Sequence, residues 1–375
     1  MTMTFLDIPL VDHHCHSIVD ASRKADAQAM LRITSEAPGS YPIRDLQQRI
    51  AWHAELEIVR RFTGQSVNTM EDVAEVMERI DYSDYCRSLF KAGGYGALYV
   101  DTGFAPASSP TLPELSDLTG TETFAILRLE KLAEELYRAD RPFEDWWEAV
   151  TNEVLHARQN GYIGAKSIAA YRCGLQLHPV TIADAKTAYA DWQRSGKQRL
   201  SHPELINYLV WECAPTLAKQ ALPLQFHTGY GDPDTNLLLG NPLLLRDFIE
   251  AFTPSGLAVV LLHTYPYHRE AGFLASVYDG VYFDTSLINP LGPAATRRVV
   301  AEALELTPYS RYLFASDAHS RPEMFFLAAE LFKDAFALHL DDPLVTRYTS
   351  AKARESFARQ VLADNARRIY LGMGN

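Results

Sequence analysis

Leu10-Val11-Asp12-His13-His14-Cys15-His16, the end of an apolar run that begins at Phe5, sets the reading of this chain. On a strand alternate side chains share a face, so His14 and His16 project together with Asp12 one layer below. His13 and Cys15 then face the other way. Two imidazoles side by side at the end of a short, rigid strand suit a transition metal. The pattern gains weight only if further ligands stand at the ends of later strands.

Seven more apolar runs follow, separated by segments of helical periodicity. They are Ala97–Asp101, Phe124–Leu129, Tyr162–Ile168, Leu222–His227, Leu257–His263, Val281–Thr285 and Arg311–Asp317. Strands that alternate with helices such as Glu130–Ala139, Leu205–Ala221, Leu243–Ala251 and Arg297–Leu306 predict a parallel sheet. Eight repeats predict an α/β fold closed as a (β/α)8 TIM barrel. An open doubly wound sheet would bring a Gly-rich phosphate loop after its first strand, and none is present. Residues 20–95, between the first two strands, read as a helical insertion that caps the barrel mouth or packs on a second subunit. Its helices are expected at Ile43–Phe62 and Thr69–Lys91, and the tail is expected to be helical from Leu344 to about Tyr370. No Gly, Pro and Ser linker divides the chain, so 1–375 is expected to be a single barrel domain.

With 375 residues the chain has room for such a barrel and its insertion. Apolar content of 47% and charged content of 22% are ordinary for a soluble globular protein. A net charge of -12 and the lack of a basic block argue against a nucleic-acid partner. Met1–Asp7 shows no basic n-region and no run reaches about 18 apolar residues, so neither a signal peptide nor a membrane span is expected. The scattered Cys15, Cys86, Cys173 and Cys213 read as reduced thiols of a cytoplasmic protein.

Barrel chemistry sits at the C-terminal ends of strands, and the polar residues fall there. His227 ends strand five, His263 strand six and Asp317 strand eight, which turns His14 and His16 into part of a five-residue rim. Imidazole and carboxylate donors suit zinc first, with manganese or iron as alternatives, in one or two ions. Such an ion lowers the pKa of a bound water towards about 7. Asp317 is the expected general acid/base, and His263 either binds a second ion or hydrogen-bonds the attacking water. Lys166 on strand four shares parity with Gly164 and Ile168. It either bridges two ions as a carboxylated lysine or stays charged to hold an anionic substrate group. Tyr171 and Arg172 follow strand four and face the mouth, where Arg172 is placed to grip a carboxylate. Arg128 is a further substrate-binding candidate and is expected to pair with Glu130. Asp232, Asp284 and His319 are weaker candidates. His53, His156, His178, His202, His268 and His339 read as surface residues.

At Asp12-x-His14-x-His16, His227, His263 and Asp317 the chain resembles the amidohydrolase superfamily, and most of all its amidohydrolase-related branch, family 2. Gly164–Arg172, Gln225–Asp232, Ser316-Asp317-Ala318 and Pro322-Glu323 are similar to the amidohydrolase-like domain fused to glutamine-synthetase-like proteins. The resemblance implies a (β/α)8 barrel whose core metal ligands are His14, His16, His227 and Asp317. The function expected is metal-dependent hydrolysis of an amide-like C–N bond in a small, carboxylate-bearing substrate. A metal-dependent non-oxidative decarboxylase of a small acid is the alternative, and a binding or regulatory barrel without turnover is a second one. A homodimer is the oligomer expected from barrels of this type.

Overall fold

A computed structural model describes residues 8–105 and 108–373. The beginning of the first apolar run, Phe5–Asp7, and the Met1–Asp7 segment lie outside the described residues.

Seven strands form one parallel sheet in sequence order: β1 Leu10–Cys15, β2 Tyr95–Asp101, β3 Glu122–Arg128, β4 Tyr162–Ser167, β5 Leu224–His227, β6 Val259–Leu262 and β7 Val281–Phe283. Every residue of β1, β5, β6 and β7 is buried, as expected for parallel strands covered on both faces. The register aligns Arg128 with Lys166 and Lys166 with Gln225, so three long polar side chains stand at one level across β3, β4 and β5.

The eighth strand expected at Arg311–Asp317 is not a regular strand. It touches β7 through a single bridge, Phe283 to Tyr312, yet it still joins the two sheet edges. Leu313 N donates to Phe283 O at 3.0 Å, while His13 N donates to Phe314 O at 3.2 Å and Asp317 N to His14 O at 3.0 Å. The ladder is interrupted because Phe314 N turns instead to Val361 O, and because Asp317 takes a left-handed φ of 52°. The curled sheet is thereby closed by hydrogen bonds through an irregular segment.

Between β1 and β2 lie the helices Ala27–Arg32, Ile43–Leu46, Ile50–Thr63, Met70–Arg79 and Tyr82–Gly93. Two long helices expected here are broken by local chemistry. Arg49 is extended ahead of Ile50, and Asp81 accepts from Asp84 N to start a new helix after the extended Ile80. Thr69 and Asp72 form a capping box at the start of Met70–Arg79. The tail is likewise divided at the extended Thr349, with Ser350 capping Ala351–Arg359. No described helix is long and apolar enough to cross a membrane.

From the last helix, Asn365–Leu371, the fully buried Tyr370 packs under the strands. A Cβ at position 164 would lie 2.9 Å from Tyr370 Cε1 and 3.1 Å from Ile126 Cδ1, so β4 needs Gly164 where that ring passes.

Candidate metal centre

The end of β1 and the irregular eighth segment are tied together by Asp317 N to His14 O and His16 N to Ala318 O, the latter at 2.9 Å. This brings the Asp317 carboxylate over both imidazoles. Its Oδ1 lies 3.1 Å from His14 Nε2 and 3.4 Å from His16 Nε2, and its Oδ2 lies 3.4 Å from His263 Nδ1. His14 and His16 stand edge to face with ring centroids 5.2 Å apart, and His227 and His263 are 4.6 Å apart. The ligand atoms of His14, His263 and Asp317 fall within 4.8 Å of one another, as do those of His14, His16 and Asp101.

Both His263 and Asp317 adopt left-handed φ values, 68° and 52°. For residues with a Cβ this costs on the order of 1–3 kcal/mol each and persists only where the surroundings hold it. Here Asp284 Oδ1 accepts from His263 N at 2.9 Å, and the His14 carbonyl accepts from Asp317 N.

A network beneath the rim orients the rings. His14 Nδ1 faces Gln225 Oε1 at 3.0 Å, and Gln225 Nε2 donates to Tyr370 OH at 2.7 Å and to His13 O at 2.9 Å. His13, facing away from His14 as strand parity requires, lies 3.0 Å from Asp284 Oδ2. Asp284 also accepts from Ser286, whose hydroxyl is 2.8 Å from His263 Nδ1. Asp12 accepts from Ser316 N and Oγ and so braces the eighth segment. Partners of this kind fix the tautomer and direction of a ligating imidazole.

Burial, followed by the nearby Lys166 charge, pushes His14 down to about 4 and His227 well below the usual imidazole range. Burial also holds His263 well below it, against the pull of Asp317. Burial alone would raise Asp317, but His263, His14 and His16 overcome it and keep the carboxylate ionised. Neutral imidazoles beside an ionised carboxylate are the protonation states a divalent cation requires. Two buried imidazole nitrogens of the rim, His227 Nε2 and His263 Nε2, have no hydrogen-bond partner among the described residues. The donor set therefore fits a divalent metal.

Lys166 is buried, with Nζ 2.9 Å from His14 Nε2 and 3.3 Å from Asp101 Oδ2. Asp101, at the end of β2, also accepts from Arg128 Nε at 3.1 and 3.2 Å. Burial would raise Asp101, but Lys166 and Arg128 hold it far below the usual carboxylate range. The expected Arg128–Glu130 pair does not form. Glu130 starts the helix Leu129–Leu136 and points to Ser167 Oγ and Ile168 N, at 2.6 and 3.0 Å, leaving Arg128 to Asp101.

The rim opens into a cavity of about 270 Å³ bordered by His16, Lys166, His227, His263 and Asp317 below and by Glu36, Phe104, Arg128, Tyr171, Arg172, Asp232 and His319 above. Tyr171 packs on His227 with centroids 4.1 Å apart. A Cβ at Gly231 would lie 2.3 Å from Tyr171 OH and 2.8 Å from His227 Nε2, so this glycine leaves the space in front of that imidazole clear. Arg172 gives Nη2 to Glu134 at 3.3 Å, while its buried Nε and Nη1 have no partner. Asp232 accepts from Asp234 N within its turn and also borders the cavity. His319 borders it too, whereas His268, expected at the surface, is buried against Glu302 at 2.7 Å.

Sequence reading missed Asp101, Gln225 and Glu36. Asp101 carried a signal, a carboxylate at the C-terminal end of a core strand. Gln225 and Glu36 carried none, since their importance comes from distant partners.

The chain is 27% identical to Protein fluG of Emericella nidulans over 96% of its own length, and it spans 45% of the length of that relative. This agrees with the expected likeness to one domain of a longer protein. Among solved structures, a Lactobacillus casei protein assigned as a metal-dependent hydrolase superposes with a TM-score of 0.92 at 39% identity, over 98% of this chain and 96% of that one. The uronate isomerase of Thermotoga maritima shares the fold, with a TM-score of 0.67 at 14% identity over 97% and 95% of the two chains. The amidohydrolase family model matches residues 162–371, which contain β4 to β7, His227, His263 and Asp317. The chain belongs to the amidohydrolase family.

Proposed function

We propose that this chain is a metal-dependent hydrolase that cleaves an amide-like C–N bond in a small, carboxylate-bearing substrate. One observation carries the reading: the unpartnered buried nitrogens of His227 and His263 and the Asp317 carboxylate border one cavity with Arg172, whose Nε and Nη1 are also unpartnered. His14, His16, His227 and Asp317 would hold the ion, with zinc as the first choice and manganese or iron as alternatives. A divalent ion held there supplies Lewis acidity and a water that ionises near neutral pH.

The chain's own residues do the rest. Asp317 keeps an ionised oxygen at the rim to take a proton from water and return it to the leaving nitrogen. His263, steadied by Ser286, holds a hydrogen bond beside it. Arg172 would orient the substrate carboxylate by a charge-assisted hydrogen bond, and Arg128 fixes Asp101. Phe104 and Tyr171 add aromatic surface to the mouth. The helices between β1 and β2 would act as a cap, since Glu36 from that region borders the cavity. Lys166 remains an ammonium, because a carboxylated nitrogen would place a second anion against Asp101. That favours a single ion.

Zinc-loaded protein tested on a panel of carboxylate-bearing amides should release amine, and chelation should stop it. Asp317→Asn should lower kcat by about 10²–10⁴-fold. Carbon dioxide release without amine release would instead establish decarboxylation on the same scaffold. Tight binding of panel members with no turnover of any would establish a binding barrel.

A further inference from the structure

Four acidic groups line the cavity, and they differ in how they are compensated. Asp317 belongs to the histidine cluster, and Asp234 is paired with Arg199 at 2.7 Å. Glu36 and Asp232 have no ion pair among the described residues, although both also border the adjoining pocket with Tyr230 and Arg49. Arg49 gives its Nη2 to Leu291 O at 2.9 Å rather than to Glu36. Burial, then the charges of Asp317 and Asp232, push the Glu36 carboxyl up to about 7 against the pull of Arg49. Arg199, already paired with Asp234, also acts on Asp232, but no cation forms an ion pair with Glu36 or Asp232 among the described residues. On the same cavity Arg172 pairs with Glu134 through Nη2 alone, and its Nε and Nη1 stay buried and unpartnered with the side chain only 9% exposed.

A partly enclosed cavity bordered by a guanidinium with two unpartnered N–H groups and by two carboxylates without an ion pair selects a ligand of the opposite pattern. We infer that the substrate is zwitterionic, with a carboxylate received by Arg172 and a primary ammonium received by Glu36 and Asp232. This inference rests on reading the cavity as the substrate site, and it makes Glu36 a specificity-determining residue. A charge-assisted hydrogen bond to a buried carboxylate is worth enough to separate ligands with and without the ammonium by about tenfold or more.

The test uses zinc-loaded full-length protein and calorimetric binding of glycylglycine, β-alanylglycine and glycyl-β-alanine, each with its N-acetylated and C-amidated counterpart. The expected result is at least about tenfold tighter binding of the free dipeptide than of either blocked form. Glu36→Gln should erase the preference over the N-acetyl form and keep the preference over the amide. Arg172→Gln should do the reverse. Equal or tighter binding of the N-acetyl form, an unchanged preference in Glu36→Gln, or failure of every free dipeptide to bind would each overturn the inference. Amine release from the bound dipeptides is followed separately: selective binding without hydrolysis contradicts the hydrolase reading and leaves the zwitterion assignment standing, and unselective hydrolysis does the opposite.

Discussion

Gln225 places its side-chain oxygen 3.0 Å from Nδ1 of His14, and thereby joins the rim of the barrel to its base. Its amide nitrogen donates to Tyr370 OH and His13 O, so one side chain sets the direction of a candidate ligand and anchors the C-terminal helix. Gln225→Leu should weaken zinc binding by about 10–100-fold, measured by competition with a chelating dye. Tyr370→Phe removes only the hydroxyl, so it should cost about 1 kcal/mol of stability and change zinc affinity far less.

Asp101 neutralises two cations at once, the buried Lys166 and the mostly buried Arg128. Removing the charge of one partner in a buried ion group leaves the others uncompensated, at a cost of about 3–5 kcal/mol. Asp101→Asn should therefore lower the midpoint of denaturant unfolding sharply, whereas Lys166→Met, which leaves the Arg128 pair in place, should cost less. With Lys166 an ammonium, as proposed, added bicarbonate should leave the metal stoichiometry unchanged.

Gly231→Ala tests whether the space before His227 matters. The new methyl would meet the Tyr171 hydroxyl and His227 Nε2, both at the far ends of side chains that can move. The fold should survive with a small change in melting temperature, while zinc affinity falls at least about tenfold as His227 is displaced.

His319 is pushed down to about 4, from an ordinary 6.5, first by burial and then by His16. Between those values the unfolded chain holds more protons at this site than the folded one, so stability rises with pH. The contribution is fully present above about pH 6.5 and is lost as pH falls towards about 4. His319→Gln should flatten this part of the stability profile by about 3 kcal/mol, seen as a stability gap to the native chain that changes across that pH window.

Much of this arrangement could be read from the chain. The strand-end positions of His14, His227 and His263 follow from apolar runs and strand parity, both of which are local. Phe314 could not be read in the same way, because its amide leaves the ladder for Val361, a partner far along the chain. Arg128 and Glu130 share strand parity, but the chain turns helical at Leu129, so the inferred pair was geometrically barred. His268 looked like a surface residue because nothing local announces Glu302 as its partner. Glu36 lay in a segment whose only visible signal was helical periodicity. Its approach to the cavity depends on how the helices after β1 pack over the mouth.

The central claim is a metal centre built on His14, His16, His227 and Asp317. The most direct test is metal content per chain by inductively coupled plasma mass spectrometry, on protein purified without chelator. The account predicts about one divalent ion per native chain and almost none in His14→Ala or Asp317→Asn, with both variants still folded. A metal-free native chain after growth and dialysis with zinc, or equal metal in the native chain and both variants, would contradict it.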